Sequence, residues 1–273
     1  MAKRKKRLRK TVDQLNIIDD ALFQKMAEDI GFCEEVISTI LEKEIRLLKV
    51  TEQQNIKNLQ GRSVILDALC MDETGKQYNI EVQKSDNDDH QKRVRYNGAC
   101  ITTNFAEVGK KFLRIPDVIV IFISRFDLFQ EGKTVYHIRR IIKETGTAVE
   151  NGFEEVYVNA AVNDGSKIAR LMDIFTDISK YDFEMFPKTS ARKKQFKEKR
   201  KGDTVVCDLV EQYAKECVEE NDAENTVQYV ENCAESLGFT IEKACAVLHL
   251  TLSDYEKAKK KLKELAEEEN EEE

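Results

Sequence analysis

The sequence predicts an α/β protein: a sheet flanked by helices, followed by a region that is helical throughout. Three observations carry this reading. Apolar residues at helical spacing open the chain, strand-type patterns take over near residue 64, and helical spacing alone remains after residue 202. Leu15, Ile18, Leu22, Met26 and Ile30 recur at intervals of three and four and predict a helix over 11–30. After Gly31, a second apolar face runs through Val36, Ile37, Ile40, Leu41, Ile45 and Leu48. LKVTEQQNIKNL reads as a strand or connector. RSVILDALCM, rich in β-branched and aliphatic residues, reads as a strand, and DETG as a turn in which Gly75 supplies permissive backbone. KQYNIEVQ alternates strictly, with Tyr78, Ile80 and Val82 on one face and Gln77, Asn79, Glu81 and Gln83 on the other.

A helix is predicted over 88–105. Past Pro116, DVIVIFIS is a continuous apolar run of the kind found in strands buried on both faces. KTVYHIRRIIKE, reached through the Gly132 turn, and EEVYVNA read as further strands, and SKIARLMDIFTDI as an amphipathic helix. The basic stretch KTSARKKQFKEKRKG closes the core. Beyond it, Val206, Leu209, Val210, Tyr213 and Cys217 mark one helical stripe, and Val227, Val230, Ala234 and Leu237 a second that ends at Gly238. FTIEKACAVLHLTLSDYEKAKKKL predicts two short helices around a turn at Leu250–Thr251. The expected organisation is a basic disordered arm over 1–10, an α/β domain over 11–202, and a helical region over 203–273 ending in an acidic tail.

Composition narrows the class. With 273 residues and 41% hydrophobic content, the chain can bury a sizeable core. No apolar run approaches the roughly 18 residues of a membrane span, so no membrane partner is expected. The seven cysteines are scattered and odd in number, without paired spacing, and the three histidines are far apart. That pattern excludes a disulfide framework or zinc finger and points to a cytoplasmic protein. Charge is uneven. Residues 1–202 carry +6 and residues 203–273 carry −13, within a net −7. The first part can meet phosphate; the second cannot do so easily.

The candidate chemistry lies in the hairpin. Asp67 interrupts an apolar strand, and Glu81 and Gln83 lie on one face of the next. A register that joins these faces brings two carboxylates and an amide together. Two close carboxylates repel unless a cation lies between them. Oxygen ligands and incomplete coordination favour Mg²⁺, which can activate water and neutralise a phosphodiester.

The spacing Asp67-x13-Glu81-x-Gln83 resembles the PD-(D/E)XK nuclease signature. With DALFQKMAED before it, ILDALCMDETGKQYNIEVQKSDNDDHQKRVRYN around it and DVIVIFISRFDLF after it, the chain resembles the PD-(D/E)XK family transposases, also called recombination-promoting nucleases, over residues 12–200. The resemblance implies a restriction-endonuclease-like mixed sheet flanked by helices, with the helical region as a C-terminal appendage. It also implies Mg²⁺-dependent cleavage of double-stranded DNA, with Mn²⁺ as a substitute, in recombination or transposition on the nucleoid, and no organic cofactor. Asp67 and Glu81 match the metal-binding acids, and the Val82 carbonyl the third ligand. Gln83 stands where many such nucleases have Lys, and Leu66 where they have Pro. A neutral amide can orient water but cannot deprotonate it, which keeps open a catalytically weak or inactive DNA-binding or assembly protein as the alternative. Asp20 is a further candidate acid. Lys92, Arg93 and Arg95, at the start of the next helix, are candidate contacts to the DNA backbone, joined by RKKQFKEKRK and the N-terminal arm. The C-terminal helices read either as a DNA-reading helix-turn-helix or as a packing and homodimerisation appendage, and their acidity favours the latter.

Overall fold

The structure, a computed structural model, describes residues 15–56, 64–86, 89–106, 109–198, 226–227, 230–231, 234, 240–247 and 250–260. The basic arm, the stripe expected over 206–217 and the acidic tail lie outside them. The described elements of the α/β part are α1 (Asp20–Ala27), α2 (Ile30–Ile40), β1 (Leu47–Ile56), β2 (Val64–Asp72), β3 (Gln77–Gln83), α3 (His90–Phe105), β4 (Val118–Ser124), β5 (Val135–Ile138), β6 (Phe153–Asn159), α4 (Lys167–Thr176) and α5 (Pro187–Glu198). The strands form one mixed sheet in the order β1-β2-β3-β4-β6-β5. β1, β2 and β3 run antiparallel, β3, β4 and β6 run parallel, and β5 returns antiparallel on β6.

The two faces of β4 explain its unbroken apolar run. Val118, Val120 and Phe122 pack with Val94 and Ile101 of α3 and with Leu66, Leu69 and Tyr157. Ile119, Ile121 and Ile123 are equally buried on the opposite face. α1 packs against β1, β2 and β3, and α2 against β1. The rings of Phe23, Phe32 and Phe175 join α1, α2 and α4. On the other side α3 lies very close to β6: a Cβ on Gly98 would stand 2.2 Å from the Phe153 ring. That spacing sets how closely α3 presents its first turn to β3.

Some of the expected element bounds change in the structure. The second helix does not continue through Ile45 and Leu48. It stops at Ile40, Glu42 turns left-handed (φ 52°), and the Ser38 hydroxyl accepts the Ile45 N–H at 3.0 Å. Leu48 then falls on edge strand β1 and is exposed. The strand expected over KTVYHIRRIIKE is only Val135–Ile138. The chain then forms an exposed hairpin in which the Val149 N–H donates to the Arg140 carbonyl at 2.9 Å. The polar face of β3 is not a solvated one: Gln77, Asn79 and Glu81 are 2, 0 and 1% exposed.

The chain divides into two compact units, 1–209 and 210–273. In the second, Val230, Ala244, Cys245 and Tyr255 form a small core with Val227, Ala234, Ile241 and Leu250. The expected turn is present between α6 (Ile241–Val247) and a helix at 252–260, with the Thr251 hydroxyl accepting the Asp254 N–H at 3.1 Å.

Candidate active site

The site begins where a β-ladder stops. β2 and β3 pair from Met71↔Gln77 to Ala68↔Ile80. Beyond Ala68 the strands part, while β2 continues to pair with β1 through Val64↔Ile56. The backbone donor of the next rung is taken by a side chain instead: the Val82 N–H donates to Asp67 Oδ2 at 3.0 Å. Leu69 and Asn79 are directly opposed, so the residues two further along, Asp67 and Glu81, lie on that same face. N–H and C=O of one residue leave a strand on the same side, so the Val82 carbonyl also faces the gap.

α3 covers this face. Its N-terminus is fixed by Asp89, whose side chain accepts the Lys92 N–H at 3.0 Å. One turn into the helix, Arg93 reaches inward, with Nη2 3.5 Å from Glu81 Oε2 and Nη1 donating to Gln83 Oε1 at 3.2 Å. The other oxygen of Glu81 accepts from Asn79 Nδ2 at 2.8 Å. Gln83 donates its own amide N–H to the Ser85 carbonyl at 2.9 Å. Lys84, the next residue, pairs with Asp19 at 2.6 Å and ties the end of β3 to the start of α1.

The electrostatics are those of a site short of positive charge. Burial, then the Glu81 carboxylate, push the Asp67 carboxyl well above the usual range; the Val82 N–H and Arg93 pull it back only in part. Glu81 is also raised, by burial, against the opposing pull of Arg93, Asn79 and the Asp67 backbone N–H. Asp20, at the start of α1, adds negative charge to both. Two hard carboxylates and a main-chain carbonyl with too little positive charge between them fit a small divalent cation such as Mg²⁺. No group of three or more His, Cys, Asp or Glu side chains that could hold a metal is assembled among the described residues.

Of the residues expected from sequence, Asp67, Glu81, Val82, Gln83 and Arg93 come together. Lys92 and Arg95 stay exposed on α3, and Lys92 pairs with Asp89 at 2.6 Å. The cations of RKKQFKEKRK are partly consumed within the fold. Arg192 donates to the Lys25 carbonyl at 2.9 Å, Lys197 donates to the Leu15 carbonyl, and Lys193 is fully buried. Asn79 is the residue sequence reasoning missed. Its signal was its place in the alternating row with Glu81.

No helix among the described residues is long and apolar enough to cross a membrane. No curated protein and no solved structure matches the chain. A family model described as PD-(D/E)XK nuclease family transposase matches residues 29–170, which include β2, β3 and α3.

Proposed function

Because the chain belongs to the PD-(D/E)XK nuclease family transposases, matched over more than half its length, we propose that it is a metal-dependent DNA endonuclease acting in the recombination or transposition of mobile DNA. One observation carries this reading: Asp67 and Glu81 share a face where the β2–β3 ladder opens, and burial holds both above their ordinary pKa. Mg²⁺, or Mn²⁺ in its place, would supply Lewis-acid stabilisation of the phosphate and an acidified water. Asp67, Glu81 and the Val82 carbonyl would hold it. Asn79 keeps Glu81 aimed into the gap. Gln83, anchored by its amide N–H on the Ser85 carbonyl, orients the attacking water by hydrogen bonding and takes no proton itself. Lys92 and Arg95 bind the duplex backbone.

A supercoiled-plasmid nicking assay with Mg²⁺ tests this. Wild type gives open circles, and Asp67→Asn or Glu81→Gln slows nicking on the order of a hundredfold or more. Equal rates for wild type and Asp67→Asn overturn it. A second reading is favoured by Gln83 at the motif's Lys position and by the Arg93 contact on Glu81. A DNA-binding descendant of a nuclease retains DNA in a salt-sensitive way, keeps that retention in Glu81→Ala, and breaks no strand with any divalent ion.

A further inference from the structure

Glu81 is 1% exposed, and a carboxylate so buried needs compensation. Besides the Asp67 backbone N–H, it has two side-chain partners of unequal kind. Asn79 holds one oxygen at 2.8 Å, a firm neutral hydrogen bond. Arg93 meets the other at 3.5 Å, at the outer limit of a hydrogen bond. The Arg93 side chain is also 37% exposed, so it has an open route to solvent, and its second contact is to the neutral amide of Gln83. Asp67 accepts a backbone N–H rather than a cationic one. The flanking lysines are committed elsewhere, Lys84 to Asp19 and Lys92 to Asp89, each at 2.6 Å. Arg93 thus stabilises the charged form of both acids, and burial still holds both above their ordinary pKa.

On the reading that this acid pair holds a divalent cation, we propose that Arg93 is its displaceable counter-ion. Arg93 steadies Glu81 when no divalent cation is bound and gives way when one is. A single long contact, a solvent-exposed stem and a neutral second partner are what a group that must leave requires. A tight bidentate pair would lock Glu81 against any other cation. Once displaced, a guanidinium at the rim of the gap is suited to a phosphate oxygen.

Mn²⁺ titration of the full-length protein without DNA, by calorimetry, tests the competition directly. Arg93→Met binds Mn²⁺ about tenfold more tightly than wild type. Arg93→Lys stays near wild type, because a cation remains to compete. Arg95→Met removes the same charge from an exposed position on the same helix and leaves affinity unchanged. An Arg93→Met affinity no tighter than wild type overturns the proposal, as does an equal gain in Arg95→Met, which would show that only net charge matters. Should Arg93→Met fail to fold, Mg²⁺ is added to wild type and the Arg93 guanidinium NMR signal followed: it shifts if Arg93 is displaced, and an unmoved signal at saturation overturns the idea. Asp67→Asn separates the two levels. If it abolishes Mn²⁺ binding while Arg93→Met changes nothing, the metal site stands and the Arg93 role falls. If no variant and no wild type binds Mn²⁺, both fall.

Discussion

Asn79 shows how one uncharged side chain decides the behaviour of a charged neighbour. Its amide N–H is the only neutral side-chain donor found on Glu81 among the described residues. Replacing it by leucine keeps the number of side-chain heavy atoms and the branch at Cγ but leaves that oxygen without its bond. Asn79→Leu is expected to lower the nicking rate by about 10–100-fold, the usual cost of losing a partner that orients a metal ligand. Thermal melting of the same variant checks that the fold survives. The acids themselves were legible in the sequence, because a carboxylate inside an apolar strand demands a reason. Asn79 was not. Alternation tells which residues share a face, but not whether a helix will cover that face. Only the position of α3, set by Gly98 against Phe153, turns a polar row into a buried one.

At the scale of elements, α5 explains why its own sequence gave no helical signal. The residues it turns inward are Thr189, Ser190, Lys193 and Phe196, three of them polar, so no apolar stripe marks it. Lys193 is the key. Its ammonium donates to the carbonyls of Ile174, Asp177 and Lys180, closing the open C-terminal end of α4. Burial, and then Lys197, depress its pKa to about 8. Between that value and the ordinary value of about 10.4, the unfolded chain holds a proton that the folded chain has released, so this group's contribution to stability rises with pH across the window. Lys193→Met is expected to lose about 2 kcal/mol at neutral pH through its unsatisfied carbonyls. Urea denaturation at pH 7.5 and pH 10 should show wild type gaining on the variant at the higher pH. α2 failed in the opposite direction. Ile45 and Leu48 fit a helical period by spacing alone, and the Ser38 hydroxyl bond to Ile45, invisible in the pattern, ends the helix.

For the whole molecule, the uneven charge becomes a statement about binding. A chain with +6 over residues 1–202 would bind a polyanion by releasing counterions, even though its total is −7. Arg192, Lys193 and Lys197 of the basic stretch RKKQFKEKRK are turned into the fold, so the exposed pair on α3 would carry more of a duplex contact than composition alone suggests. Substituting Lys92 and Arg95 by Gln together should reduce the slope of log affinity against log salt by about 2, one per lost phosphate contact. Fluorescence anisotropy with a labelled duplex over a range of salt checks this. An unchanged slope places the duplex elsewhere. The strands were legible from their individual patterns and the mixed sheet was implied by the resemblance; the pairing β3–β4–β6 was not legible, since parallel neighbours distant in sequence leave no local trace.

That parallel pairing also bears on how the protein is made. Asp67 and Glu81 lie 14 positions apart and meet across a local hairpin, which can form as soon as it leaves the ribosome. Their burial waits for β4, whose Phe122 lies beside Glu81 about forty residues later, and for β6 beyond it. Until β6 has been made, the sheet that buries the two acids is incomplete. Any capacity to cut would arrive only with the completed sheet.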